Sequence, residues 1–301
     1  MKSVLAVLHS AILISTPLLF AATGGLYTQL AGILNIALEG MLLTGAFAAI
    51  AAVSLTGNIA VGIAAAIAAS SALALLTAFT ALKLKSNVFI SGLAANLLAS
   101  GLTVVMSQRL FGTRGVVVLR DFNVLPVLHI PVIGKVFVIG NLVSGFSLYT
   151  YVAWLLLFFS WAFIYKTPFG YRLRASGMHA EALYSLGING DIYRYVAFVL
   201  SGLFCGIGGS FLSLNLGAFV PNMPAGKGWI ALVIMLLARR RPLGLLIAAF
   251  VYGIAEAFSN YAQGVINIPA ELILAMPYVF TLLAIIGASI YVKQKKQGMS
   301  V

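Results

Sequence analysis

The chain has 301 residues, 62% of them hydrophobic and 8% charged, with a mean hydropathy of +1.08 and a formal net charge of +12. A soluble domain carries about 25% charged residues, so that class is excluded. The positive excess is not a nucleic-acid footprint either, because the basic residues stand at the ends of apolar runs, where membrane topology puts them.

The expected fold is all-α: a polytopic transmembrane helical protein of about nine spans in a single domain, 1–301. A span needs about 20 mainly apolar residues. The candidates are roughly 4–23, 35–55, 58–82, 87–107, 148–165, 194–216, 225–239, 243–262 and 271–292, the seventh being short. The opening run has one Lys and small residues near Ala21–Gly25, as a secretory leader would. The membrane pattern resumes at once, so it is read as a retained span. Segments 24–35 and 217–226 are rich in Gly, Asn and Pro and read as broken or re-entrant. Such backbone is tolerated at membrane depth only against protein or a cavity.

The stretch Lys166–Arg194 is the long polar, helix-competent segment, between two apolar flanks. It holds Lys166, Arg172, Arg174 and Arg194, so it belongs on the cytoplasmic side. Lys83, Lys85, Arg239–Arg241 and the tail lysines 293, 295 and 296 then fall inside with it, twelve of the eighteen basic residues. This polarity puts the N-terminus outside, with Lys2 in mild disagreement. Four of the remaining basic residues lie in 108–147, read as an external cap. A faint repeat relates Gly24-Gly25 to Gly208-Gly209, each followed by an Asn-containing interruption and another span. The copies run in opposite directions, the pattern of inverted repeats. The domain then divides into a first repeat (about 4–107), the external loop 108–147, a linking span 148–165, the polar loop 166–193, a second repeat (about 194–292) and a cytoplasmic tail 293–301.

Chemistry of the enzymatic kind is not visible. There is no phosphate loop; Gly226-Lys227-Gly228 lacks its spacing and hydroxyl. His9, His129 and His179 are scattered, Cys205 is the lone cysteine, and no metal or nucleophile pattern occurs. No catalytic residue, metal or cofactor is expected. The acids are few, so Glu39 and Glu256 inside apolar runs are informative. A carboxylate near the bilayer centre costs about 2.5–3.5 kcal/mol on insertion scales and needs a cavity or a partner. Glu39 with Asn35 either lines a pore or pins one helix to another; Glu256 with Asn260 reads rather as structural. Asn96, Asn215, Asn222, Phe219 and Trp229 offer donors, acceptors and stacking faces to a polar, planar solute. In the polar loop, Met178–Leu186 is expected to form a short helix with Glu181 in its first turn. Its apolar face would be Ala182, Leu183 and Leu186, and Gly187 would end it. A short helix of this kind at the membrane surface is what a coupling element looks like.

Glu181-Ala182-Leu183-x-x-x-Gly187 resembles the EAA-x-x-x-G loop of ABC importer membrane subunits. The wider text from Arg174 and Gly177 through Asn189, then Tyr193–Gly202, is similar to the branched-chain amino acid, sugar and nucleoside permease class. Leu34–Ala49 and Asn222–Leu232, with Pro242-Leu243-Gly244, resemble the subgroup that accompanies basic-membrane-protein lipoproteins. Pro224, Arg239–Arg241 and the lack of an extra N-terminal span depart from longer relatives. The resemblance implies a permease subunit in the cell (inner) membrane that passes a nucleoside-like solute, or riboflavin. Arg174, Gly177, Glu181, Ala182, Leu183, Leu186 and Gly187 would couple it to an ATPase. Implied partners are a second permease (a paralogue or an identical chain), two cytoplasmic ATP-binding subunits or one duplicated ATPase, and an extracytoplasmic substrate-binding lipoprotein. The path would run by Asn35 and Glu39. The reading of another class is a stand-alone carrier driven by protons through Glu39 and Glu256.

Overall fold

The structure, a computed structural model, describes residues 2–119, 125–128 and 144–263, with positions 279, 283 and 286 besides. Among them are ten α-helices: α1 Lys2–Leu30, α2 Leu38–Thr56, α3 Ile59–Ala78, α4 Val88–Phe111, α5 Leu148–Lys166, α6 Pro168–Met178, α7 Ala180–Ser185, α8 Gly190–Leu216, α9 Lys227–Leu237 and α10 Pro242–Gln263. Seven of these (α1–α5, α8 and α10) are long and apolar enough to cross a membrane. The expected span 225–239 is an 11-residue helix, α9. The expected span 271–292 lies outside the described residues, apart from Val279, Leu283 and Ile286, which are helical.

The helix ends are closed by local chemistry. Asn58, Asn87 and Asn189 each accept a backbone N–H through Oδ1 at the starts of α3, α4 and α8. Left-handed Gly57, Gly112 and Gly217 close α2, α4 and α8. In lipid every backbone group must find such a partner. α3 ends in a π turn, Phe79–Lys83, before the hairpin to α4.

α8 is the central post. Its small residues let neighbouring backbones come close, which is how membrane helices associate without a hydrophobic drive. A Cβ on Gly202 or Gly206 would strike α3 near Ser71 and Ile67, and one on Gly209 would stand 2.2 Å from the Leu42 carbonyl of α2. These contacts also fix direction. Gly24 lies against Ser201 while Gly208 lies against Pro17 and Phe20, so α1 and α8 are antiparallel. Asn35 meets Ser201 and Gly45 meets Gly206, so α2 runs parallel to α8.

One correction concerns the breaks. Residues 24–30 are not an interruption: α1 continues to Leu30, and the break is 31–37. Gly24 and Gly25 sit inside the helix because Ser201 and Leu38 press against it there. The chain then turns back from the end of α1, and α2 begins level with Ser201, part-way along α8. The second break, 217–226, does the same from the far end of α8 and delivers α9 to Glu39.

The fold is not wholly helical. β1 (Val117–Val118) pairs antiparallel with β4 (Ala218–Phe219), and β2 (Val127–Leu128) with β3 (Phe146–Ser147). These two-residue ladders lie in or against the loop expected as an external cap. At the opposite end of the post the basic residues gather. Arg194 donates to the Ser176 carbonyl, Tyr165 to the Arg240 carbonyl, and the direction of α3 carries Lys83 to the same end.

Candidate functional site

The polar loop folds into two helices, not the single Met178–Leu186 helix expected. Thr167 accepts from the Gly170 N–H and Pro168 takes the first helical position, so α6 starts ten residues earlier than Met178. Proline is suited to that position because its missing N–H would have no partner there. His179, at φ −146° and ψ 75°, breaks the chain before α7. α7 has Glu181 in its first turn, as expected. It ends with the Gly187 N–H on the Tyr184 carbonyl and the Ile188 N–H on the Leu183 carbonyl, with Gly187 at φ +73°. That pair of bonds is the Schellman closure. Of the expected apolar face only Leu183 is buried. Ala182 and Leu186 face outward, together with Met178 and Tyr184. A cavity of about 510 Å³ opens beside them, with Ser176, His179, Glu181 and Arg194 on its walls.

The segment is held to the spans at named points. The Arg174 guanidinium lies 4.8 Å from the centre of the Tyr165 ring and 4.9 Å from that of Tyr171. Arg172 donates to the Tyr193 hydroxyl at 3.1 Å. Arg194 bonds Asp191 at 3.0 Å and the Ser176 carbonyl at 3.1 Å. Gly177 rests on the end of α1: a Cβ there would fall 2.2 Å from the Leu30 carbonyl and 2.6 Å from the Gly32 nitrogen. Backbone thus touches backbone where α1 gives way to the 31–37 break.

That break leads to a junction around Glu39. Asn35 is fully buried. Its amide donates to Ser201 at 2.9 Å, and its carbonyl oxygen accepts from the Ala37 N–H. Asn96 of α4 accepts from the Gly40 N–H at 2.8 Å and donates to the Ile36 carbonyl at 3.0 Å. Glu39 reaches across to α9, accepting from the Gly226 N–H at 2.7 Å and the Gly228 N–H at 2.6 Å. A carboxylate at the positive end of a helix is favourable. Each charge-assisted bond contributes about 1.5–3 kcal/mol, enough together to offset the insertion cost. A Cβ on Gly228 would stand 2.3 Å from the Glu39 nitrogen, so a glycine is required at this crossing. Between the two glycines, Lys227 pairs with Glu256 of α10 at 3.6 Å.

Of the residues expected along a path, the structure brings Asn35, Glu39 and Asn96 together at the start of α2. Phe219 is fully buried in β4, its ring edge-on to Phe47 at 5.2 Å. Trp229 is next to Gly228 and partly exposed; Asn222, in a left-handed conformation, and Asn215 are exposed. Sequence reasoning missed Tyr165, Ser201, Gly226, Gly228 and Arg240 as partners. The Thr167-Pro168 pair was the local signal that α6 begins there.

A family model described as "Branched-chain amino acid transport system / permease component" matches residues 7–288. The chain belongs to that family. The permease is 31% identical over 288 residues to the guanosine ABC transporter permease protein NupQ of Bacillus subtilis, covering 91% of this chain and 88% of the relative. It is 29% identical over 285 residues to the nucleoside ABC transporter permease protein NupC of Lactococcus lactis, covering 90% and 88%. A putative glucose ABC transporter permease protein, TsgC13 of Haloferax volcanii, is 32% identical over 261 residues, covering 85% and 77%. No solved structure matches. With seven candidate spans among the described residues the permease is a multi-pass membrane protein, and it is a transport subunit by family.

Proposed function

We propose that this permease forms the translocation path of an ABC importer for a nucleoside-like solute, with ATP hydrolysed on separate subunits. The observation that carries the reading is the continuous contact from α6 to the membrane interior. Gly177 bears on Leu30 and Gly32, the 31–37 break follows, and Asn35 and Glu39 fix the start of α2. A push on the α6–α7 segment therefore arrives where two interrupted helices meet. Met178, Ala182, Tyr184 and Leu186, turned outward, offer an ATPase an apolar docking face rimmed by Glu181. The solute class is taken from the two relatives named for nucleosides and guanosine.

The basic end, with Lys83, Lys166, Arg174 and Arg239–Arg241, is read as cytoplasmic in the cell membrane. The units α1–break–α2 and α8–break–α9 are read as an inverted pair within a nine-span domain. Support comes from their opposite directions and from the shared junction at Glu39. The partners are a second permease, a pair of ATP-binding subunits or one duplicated ATPase, and an extracytoplasmic binding lipoprotein. Asn215, Asn222 and Trp229, exposed near the second break, are the residues we assign to the solute. Asn35, Glu39 and Asn96 are assigned to holding the junction beside the path. A stand-alone proton-driven carrier has less support, because Glu39 is engaged by two N–H groups and Glu256 by Lys227.

The test is ATP-dependent uptake by the purified importer in proteoliposomes. The variant Ala182→Arg with Gly187→Arg should insert normally, lose ATPase association and lose uptake. Normal ATPase association by that variant would refute the docking assignment, and uptake by the permease alone down a pH gradient would establish the carrier.

A further inference from the structure

The Gly177 contact is one route from the coupling segment into the spans. A second route leaves the same helix one turn earlier, at Arg174. Arg174 of α6 stacks on Tyr165, and the Tyr165 hydroxyl donates to the Arg240 carbonyl at 2.8 Å. Arg240 lies in the turn that closes α9. Arg239 and Arg240 both have positive φ, 49° and 63°, a conformation that costs non-glycine residues energy and persists only where surroundings hold it. The turn is held from both sides. The Arg241 N–H bonds the Ala238 carbonyl, and Gly244 of α10 packs directly on Ala238, where a Cβ would come within 2.7 Å of its carbonyl oxygen. α9 itself is only 11 residues long. Its far end is pinned by Gly226 and Gly228 on Glu39 and by Lys227 on Glu256.

We propose that α9 is a second transmission arm, with Arg174 and Tyr165 as the positioning residues that engage it. Helix α6 pulls the Tyr165 ring, the ring's hydroxyl moves the Arg239–Arg241 turn, and the short rigid rod carries that displacement to Glu39. Glu39 stands on the first turn of α2, which is also where the Gly177 route ends. Both arms therefore converge on one carboxylate, and the junction moves only when α6 moves as a unit. A short helix fastened at each end transmits a shift without absorbing it, because a packed core is not continuously deformable. This inference rests on the proposed role of α6–α7 as the ATPase-coupling segment.

The test is Tyr165→Phe in the complete reconstituted importer. The variant keeps the ring for Arg174 and removes only the bond to Arg240. Three quantities are read: ATPase association, ATP hydrolysis, and solute moved per ATP. The expected result is unchanged association and hydrolysis with solute per ATP reduced about fivefold, the size of one lost hydrogen bond on a coupling path. Arg174→Gln should reduce it in the same way, and Arg174→Lys should restore part of it through its remaining cation–π contact. Wild-type solute per ATP in Tyr165→Phe, with Gly177→Ala impaired, would leave only the first arm and overturn the proposal. A fall in solute per ATP matched by loss of ATPase association would also overturn it, since Tyr165 would then serve docking. If the wild-type permease bound no ATPase at all, the proposed function would fail before this arm could be read. Should Tyr165→Phe fold poorly, thermal unfolding in detergent would show it, and Arg174→Gln carries the same readout.

Discussion

Replacing Gly177 by alanine tests the contact on which the coupling route depends. The added methyl would stand 2.2 Å from the Leu30 carbonyl oxygen, 2.6 Å from the Gly32 nitrogen and 2.8 Å from the Ala31 carbonyl carbon. All three are backbone atoms, so no side chain can swing aside. Real Cβ contacts do not fall below 3.0 Å, so α6 has to retreat until the first distance reaches that value. Gly32 cannot make room easily, since it has φ +84° and its own Cβ position lies 2.8 Å from the Gly177 Cα. Overpacking of this kind costs about 1–3 kcal/mol. Against it stands the better helix propensity of alanine, about 1 kcal/mol in a helix interior. Gly177 is the penultimate residue of α6, so less than that gain is available. Packing therefore wins, and the helix seats further from α1. The assay is uptake into proteoliposomes alongside ATPase association. Uptake should fall by at least about fivefold, the equivalent of roughly 1 kcal/mol, while association is retained, because the exposed face of α7 is untouched. Wild-type uptake by Gly177→Ala at wild-type thermal stability would refute the reasoning.

Glu39→Ala should lower the unfolding free energy by about 2–6 kcal/mol, since the Gly226 and Gly228 N–H groups each lose a partner at about 1–3 kcal/mol; thermal unfolding in detergent reads this, and an unchanged midpoint would show that water replaces the carboxylate. Lys227→Met should destabilise more than the double variant Lys227→Met, Glu256→Gln, because the single change leaves Glu256 charged and unpaired in a half-buried site; a double-mutant cycle reports the difference. Gly209→Ala should separate α2 from α8, its Cβ falling 2.2 Å from the Leu42 carbonyl, and destabilise by about 1–3 kcal/mol. Gly187→Ala meets no atom within 4 Å but would hold a methyl residue at φ +73°, so it should cost about 1–2 kcal/mol through strain alone and be partly rescued by Gly187→Asn.

Seven of the nine expected spans were legible because each is a long apolar run bounded by Gly, Asn or basic residues. The breaks were less so. Gly24-Gly25 looks the same in sequence whether it interrupts a helix or admits a neighbour, and only the presence of Ser201 and Leu38 decides for packing. Glu39 and Asn96 were visible as polar groups in apolar runs, but their partners are backbone N–H groups and a carbonyl on distant elements, which carry no residue signature. For the same reason the β1–β4 ladder escaped notice, because Val117 and Phe219 are brought together by topology, not by any local pattern. The start of α6 was readable at Thr167-Pro168; the apolar text around Leu183 drew attention past it.

The most direct test of the account is sided labelling of Ala182→Cys, with the native Cys205 left in place because it is fully buried. Thr56→Cys, exposed at the other end of the bundle, serves as the opposite-side control. In sealed vesicles of known orientation, Ala182→Cys should react only with reagent on the cytoplasmic side, cross-link to the ATP-binding subunit, and lose reactivity when that subunit is bound. Labelling of Ala182→Cys from the outer face, or full labelling with the ATP-binding subunit in place, would contradict it.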